Sequence, residues 1–223
     1  YKVEIQKAIK SSKIKTFKVH YYDSDPTKLT KQIEKITKYS QRKQNVLDEI
    51  ERLKNSDDPN KDRKIKILEK RDTIGKIGFD SVIIADFDQS LKSLITSLIY
   101  TDVLPLNIYF ITLNQWFDES LLKETSYQPV YYPSVNKKNY DEFIKLYFEK
   151  FNHYPNQLSF LSYDLVGLVY YLIFQNNWNL DDKIFLKKNK FKGKVGIFEI
   201  KDKKIYHILN FYKIENNNIK KIF

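Results

Sequence analysis

The spacing of apolar positions predicts a helix and then a strand at the start of the chain. Residues 3–9 repeat apolar side chains at helical spacing, and residues 14–22 alternate apolar and polar side chains, which is typical of a strand. Asp25 and Pro26 then predict a helix start, because Asp can cap a helix and Pro suits the first helical position.

A charged helical hairpin is predicted after this start. One long helix with a sparse apolar stripe runs to about residue 54, residues 55–60 form a turn, and residues 62–72 return as a shorter helix. The hairpin, over about residues 29–72, is interpreted either as a solvated spacer or as an arm that docks a partner.

The middle of the chain alternates strands and helices. Residues 79–86 are almost continuously apolar, which indicates a strand buried on both faces of a parallel sheet. The elements predicted after it are a helix at 89–101, a strand at 108–113, a short helix at 118–123, a strand at 130–132, helices at 137–151 and 157–174, and antiparallel strands at 194–200, 204–213 and 219–223. The fold class expected is therefore α/β, with a doubly wound, mainly parallel sheet and a C-terminal antiparallel hairpin.

Charge and composition bear on partners rather than on fold. The 39 Lys and Arg residues against 28 Asp and Glu give a net charge of +11. Twelve lysines lie in residues 183–223, but they are spread without interleaved arginine and aromatic residues, so no nucleic-acid partner is expected. No apolar run is long enough for a transmembrane segment.

Motifs for catalysis are missing from the sequence. Cysteine is absent, the three histidines have no metal-ligand spacing, and the five glycines form neither a phosphate loop nor a dinucleotide fingerprint. The paired aspartates, Asp57-Asp58 and Asp181-Asp182, fall in turns. We therefore expect no enzyme activity, no metal and no cofactor.

A ligand site is predicted where two strands of the sheet end. Ligands of open α/β sheets bind beyond the carboxyl ends of the strands. That rule selects Asp86 and Phe87 after one strand, and Asn114, Gln115 and Trp116 after the next. The alternative is that these residues only cap helices and pack the loop.

One segment resembles a known family. Residues 147–174 contain a Tyr-Phe pair, a His-Tyr-Pro turn and Ser162-Tyr163-Asp164 in an apolar helix. This is similar to the segment "F…Y…P…A-Y-D-A" of type I periplasmic binding proteins. Together with the order of elements, it makes residues 1–128 resemble lobe two, residues 129–180 a helical return segment of lobe one, and residues 181–223 a hairpin packing back at the hinge or lobe two. Tyr163 is expected to pack between lobes, and a ligand role for residues 162–164 is the alternative.

Within this superfamily, two features resemble the bacterial penicillin-binding protein activators. They are the charged insertion at about 38–76 and Trp116-Phe117-Asp118-Glu119. The resemblance implies a non-enzymatic periplasmic protein, lipid-anchored through a preceding region that also supplies the first half of lobe one. Its partner would be a peptidoglycan synthase.

The alternative is an ABC importer's binding protein, with the permease as partner and an amino acid or similar small polar solute as ligand. The loop that grips an amino acid's ammonium group in such receptors carries neutral Gln115 or its neighbour here, which offers only the weaker, uncharged hydrogen bond.

Overall fold

The computed structural model describes residues 2–12, 18–23, 25–113, 124–185, 189–194, 196–201 and 204–223. Within these ranges lie seven α-helices and eight strands. The helices are α1 (Lys2–Ser11), α2 (Pro26–Ile36), α3 (Tyr39–Lys54), α4 (Lys61–Leu68), α5 (Asp88–Tyr100), α6 (Lys137–Phe151) and α7 (Gln157–Gln175). The strands are β1 (Ser81–Ile84), β2 (Tyr109–Thr112), β3 (Val130–Ser134), β4 (Asn189–Lys192), β5 (Ile197–Lys201), β6 (Lys204–Ile208), β7 (Asn210–Glu215) and β8 (Asn218–Lys221). The short helix predicted at 118–123 lies outside the described residues.

The main sheet is mixed and has the strand order β1-β2-β3-β7-β8. β1, β2 and β3 run parallel, while β7 and β8 join antiparallel to them. A second, antiparallel sheet contains β4, β5 and β6. The α/β class and the antiparallel C-terminal strands are confirmed. The main sheet takes strands from both sides of the boundary predicted at residue 128.

One face of the main sheet carries the core. Helices α2 and α5 pack against each other and bury Leu29 and Ile33 from the first, and Leu91 and Ile95 from the second. The strand residues that meet them are Ile84, Phe110, Val130, Tyr132, Tyr212 and Ile214. This alternate-residue burial follows from the period-two geometry of strands.

The opposite face of the sheet is open in part. Ile83 of β1 is 52% exposed and Tyr109 of β2 is 58% exposed. The prediction that residues 79–86 are buried on both faces is therefore wrong for this strand. An apolar run shows that a strand can be buried on both faces. Whether both faces are buried depends on which other elements pack on the sheet.

The long helix predicted to reach residue 54 is broken into α2 and α3. Lys38 lies in the left-handed region at φ 53°, between the C-cap Thr37 and the first residue of α3. Thr37 is buried, and its hydroxyl donates to the Ile33 carbonyl at 2.8 Å. The break lets α3 leave the sheet and form a hairpin with α4, the two helices packing on each other.

The strand predicted at 14–22 is not observed in its described part, residues 18–22, which form no regular structure. Tyr22 instead packs against the main core. Residues 13–17 lie outside the described residues.

The small sheet packs on helix α7. Leu168 and Leu172 of α7 form a buried cluster with Ile184 and with Ile200 of β5, and Phe191 of β4 packs against it. Leu209 separates β6 from β7, so the single strand predicted at 204–213 is divided between the two sheets.

Candidate functional site

The first part of the predicted site lies where β1 ends. Residues 85–87 lead from β1 into α5, and Asp86 is half-buried there while Phe87 is 39% exposed. Ile84 pairs with Thr112, so β1 and β2 end side by side at the same edge of the sheet. The chain therefore places Asp86 at the carboxyl edge of parallel strands, where ligands of such sheets bind.

The Asp86 carboxylate has bonding partners within the chain. Its Oδ2 atom accepts a short hydrogen bond from the Tyr22 hydroxyl, and its Oδ1 atom accepts one from the Phe87 N–H at 2.8 Å. The pKa of Tyr22 is raised above its ordinary value, mainly because the side chain is partly buried. The hydrogen bond to Asp86 and the negative charge of Asp86 raise it further. Tyr22 is therefore a neutral donor at any physiological pH.

Helix capping does not explain Asp86. The N-cap residue of α5 is Phe87, which makes no side-chain cap, and its carbonyl accepts from the Leu91 N–H at 3.1 Å. Asp88, the first residue of α5, has a positive φ of 49°. Asp86 is therefore not the N-cap residue of α5. Its carboxylate accepts from the Phe87 N–H of the loop, which agrees with the loop-packing part of the alternative, and from the Tyr22 hydroxyl.

The second part of the predicted site, Asn114, Gln115 and Trp116, lies outside the described residues. Its involvement remains a prediction.

Tyr22 is the residue that sequence reasoning missed here. It lies 64 positions from Asp86 and just before the Asp25 cap of α2. Neighbouring bonds fix this segment: the Asp23 N–H donates to Gln32 Oε1 at 3.0 Å, and Lys28 Nζ lies 3.3 Å from Asp23 Oδ2. The only available signal was an aromatic residue beside a strong helix start.

The α3–α4 hairpin, residues 39–68, is the second candidate site. Its anchor is Arg42, which is 5% exposed although it lies in a strongly charged helix. The guanidinium donates to the Thr101 carbonyl at 3.0 Å, to the Thr73 hydroxyl at 2.6 Å and to the Asp102 carbonyl at 3.2 Å. Its Nη2 atom also lies 3.7 Å from Asp102 Oδ2.

This arrangement joins the hairpin to the C-terminal end of α5. Burial lowers the pKa of Arg42 below its ordinary value, while Asp102 opposes the shift. Arginine keeps its charge in proteins, so the buried cation must retain its acceptors. The hairpin is thus fixed on the body at its base.

Two further contacts close the base. The Tyr39 hydroxyl donates to Asp72 at 3.2 Å, and the Ile74 N–H donates to the Arg42 carbonyl at 3.1 Å. Tyr39 also packs on Tyr100, with ring centroids 5.6 Å apart. The chain therefore enters and leaves the hairpin through ordered contacts.

A shallow depression of about 300 Å³ lies at the α2–α3 junction. Its lining residues are polar, and half of them are lysines: Lys31, Glu34, Lys35, Lys38, Ser40 and Gln41. It contains none of the predicted ligand residues.

Asp164, in the segment that carries the family resemblance, has a structural position. It is 2% exposed, and its carboxylate accepts from the backbone N–H groups of Lys194 at 2.7 Å and Gly196 at 3.0 Å. A Cβ on Gly193 would overlap this carboxylate, so the approach requires glycine. Asp164 thereby holds the turn between β4 and β5 on helix α7.

Tyr163, the preceding residue, is 57% exposed, and its ring centroid lies 5.3 Å from that of Phe143.

Two further properties concern the described part of the chain. No group of three His, Asp or Glu side chains there is arranged to hold a metal ion. No helix in the same ranges has both the length and the apolar character needed to cross a membrane.

Comparison with known proteins gave no match, either to a protein-family model or to a curated protein.

Proposed function

We propose that this chain is a non-catalytic recognition protein of the bacterial periplasm with a type I periplasmic binding protein fold. In this proposal it resembles the penicillin-binding protein activators, and it docks a peptidoglycan synthase through the α3–α4 hairpin. The single observation that carries the docking role is the Arg42 anchor. The order of elements and the resemblance of residues 147–174 support the family. In this proposal a preceding region supplies the lipid anchor.

The anchor favours docking over a passive spacer. Binding costs free energy when a surface must first be ordered, and a surface already held in place avoids that cost. Tyr39, Arg42 and Ile74 hold the base of the hairpin on the body. A solvated spacer would function without a buried cation that fixes its base on the body.

The state of Asp86 also favours docking over ligand capture. Its carboxylate is bound by Tyr22 and by the Phe87 N–H. A ligand's ammonium group would have to compete with these donors or share the carboxylate with them.

A shortened hairpin tests the docking role. Replacing residues 49–66 by a Gly-Ser linker keeps Arg42 and its partners but removes the end of α3 from residue 49 onward, the turn, and all of α4 except Ile67 and Leu68. We expect affinity for the purified periplasmic region of the synthase to fall about 100-fold, a loss of about 2.7 kcal/mol. Biolayer interferometry measures the affinity, and a thermal melt of the variant checks that the body is folded. Unchanged affinity in a folded variant would contradict the docking role.

The second candidate is the solute receptor of an ABC importer, which closes its lobes around a small polar ligand. The position of Asp86 and the half-exposed Phe87 at the carboxyl edge of parallel strands favours it. A thermal-shift screen of the full-length protein against amino acids separates the two functions. A specific shift that disappears in Trp116→Ala would favour the receptor, and we expect none.

A further inference from the structure

Helix α4 and the turn after it are more basic than the rest of the hairpin. Residues 61–71 contain six Lys and Arg residues against two acidic ones, Asp62 and Glu69. Opposite charges are close to balanced elsewhere in the hairpin, so this excess is local.

The two sides of α4 differ in what they present. Ile65 and Leu68 are half-buried and lie on the side that packs on α3. Arg63, Lys66 and Ile67, at i, i+3 and i+4 spacing, are exposed on the opposite side. Ile67 is 48% exposed, so an apolar side chain lies within a basic face. Lys70 extends this face in the turn after the helix.

The basic residues of α4 fall into two groups. Lys64 forms an ion pair with Asp58, and Lys61 Nζ donates to the Lys54 and Ser56 carbonyls. These two lysines stabilise the hairpin turn. The side chains of Arg63, Lys66 and Lys70 have no hydrogen bond or ion pair with any described residue. Their charge is available to a partner.

We propose that the outer face of α4, formed by Arg63, Lys66, Ile67 and Lys70, docks an acidic surface of a partner protein. The proposal rests on the proposed function and names the chemistry of the partner at the hairpin. Arg63 can hold a carboxylate in two parallel hydrogen bonds, and the lysines add charge at the rim. Ile67 fills an apolar recess between the carboxylates, because interface cores are apolar and rims are polar.

The same face fits a membrane or a nucleic acid less well. Helix α4 has eight residues and turns its own apolar side toward α3, so a single isoleucine is left for a lipid surface, which needs a broad apolar face. Residues 61–71 contain no aromatic side chain on which a base could stack. A folded protein with clustered carboxylates is therefore the partner that matches both features.

Photocrosslinking from the centre of the face tests the proposal. The photoreactive amino acid p-benzoylphenylalanine replaces Ile67 in the full-length protein, in the bacterium that produces it, and adducts are identified by mass spectrometry. We expect a protein adduct that maps to an acidic segment. In an Arg63→Glu/Lys66→Glu background the adduct yield should fall about tenfold, as expected when charges in an interface are reversed.

A matched variant controls for net charge. Lys138→Glu/Lys220→Glu changes the charge by the same amount at exposed positions on α6 and β8. Its adduct yield should stay within about twofold of the parent, because distant surface charges are screened. Both variants are exposed-surface changes, and a thermal melt confirms that each is folded.

The outcomes separate this inference from the proposed function. A charge-dependent adduct to a peptidoglycan synthase supports both, and one to another protein's acidic segment supports the inference while contradicting the proposed function. The inference is overturned by the absence of an adduct, by a yield that survives the double reversal, or by an adduct to lipid or nucleic acid.

Discussion

The α3–α4 hairpin and the α6–α7 pair, residues 137–175, each contain one buried, hydrogen-bonded charge, and the two charges are opposite. Arg42 donates to backbone carbonyls and a threonine hydroxyl at the end of α5. Asp164 accepts from backbone N–H groups at the β4–β5 turn. In both cases backbone groups supply most of the hydrogen bonds that a buried charge requires.

The surfaces that the two units present to solvent differ. The α3–α4 hairpin exposes mostly charged side chains, as a water-facing helix pair should. Helix α7 and the turn after it instead expose an apolar ridge whose members are at least 54% exposed: Tyr163, Val166, Tyr170 and Phe174 of the helix, and Trp178 of the turn. Trp178 contacts both Tyr170 and Phe174.

Anchoring a helix at its base and covering its outer face depend on different features of the sequence. A buried charge fixes the local contact: Arg42 joins the hairpin base to the end of α5, and Asp164 joins the β4–β5 turn to α7. Covering depends on a whole face, and a large exposed apolar patch signals a surface suited to further contact. The α3–α4 hairpin is anchored at its base and exposes mainly charged side chains, whereas α7 leaves an apolar ridge exposed.

The largest expected effect comes from breaking the Arg42 anchor. Arg42→Ala leaves the Thr101 and Asp102 carbonyls and the Thr73 hydroxyl without their donor. Removing one member of a buried charged network costs roughly 3–5 kcal/mol. Urea denaturation followed by circular dichroism measures the free energy of unfolding.

Arg52→Ala is the matched control in the same helix. Arg52 forms an exposed ion pair with Glu49, with 2.6 Å between Nη2 and Oε1. Exposed pairs contribute about 0.2–1 kcal/mol, so this variant should lose little stability. Equal losses in the two variants would show that Arg42 is no anchor.

A smaller effect is expected from breaking the Asp164 anchor. Asp164→Ala leaves the N–H groups of Lys194 and Gly196 unsatisfied, each at about 1–2 kcal/mol, for a total of roughly 2–4 kcal/mol. The loss should be local, with faster amide hydrogen exchange in β4 and β5 than in β1 and β2.

Asp141→Ala is the control on the neighbouring helix. Asp141 pairs with Lys137 at 2.7 Å in an exposed i, i+4 bridge. We expect a loss of about 0.5 kcal/mol or less and no change in exchange of the small sheet. Uniform acceleration across both sheets in Asp164→Ala would mean that the carboxylate stabilises the whole fold rather than one turn.

Local signals made part of this fold predictable. The start of α2 follows from Asp25 and Pro26, and the Asp25 carboxylate accepts the Thr27 N–H at 2.9 Å as a cap should. Helix α5, predicted at 89–101, spans Asp88–Tyr100 because its apolar spacing faces the sheet. These features depend on neighbours within a few residues.

The remaining features depend on contacts between distant positions. Nothing in the sequence around Arg42 distinguishes it from the solvated charges of α3, since the carbonyl that holds it lies 59 residues away. The pairing of Tyr22 with Asp86 spans 64 residues. The break at Lys38 was missed because neither Gly nor Pro marks it.

The predicted ligand site depends on both local and distant contacts. The position of Asp86 and Phe87 at the carboxyl edge of the sheet could be predicted, because both residues directly follow a predicted strand. The partner of the Asp86 carboxylate could not be predicted, because Tyr22 belongs to a distant segment of the chain. The assignment of Asn114, Gln115 and Trp116 stays a prediction.

The smallest effect concerns His207, which lies beside the Asp164 anchor in the small sheet. Its ring stacks on Phe198 with centroids 4.4 Å apart, and its buried Nε2 atom has no hydrogen-bond partner among the described residues. Burial lowers the pKa of His207 below its ordinary value, against the opposing charge of Asp164. The folded state therefore prefers the neutral ring.

The sign of the pH dependence follows from this preference. Above the unfolded-state pKa of about 6.5 the ring is neutral in both states, and its contribution is fully present. As the pH falls below that value the unfolded chain binds the proton first, so stability is lost. Between pH 7.5 and 5.5, the melting temperature of the wild type should fall more than that of His207→Gln. The expected difference is on the order of 1–2 °C, because the ring is only half-buried. A larger fall in His207→Gln would mean that Asp164 outweighs burial and that the small sheet prefers the charged ring.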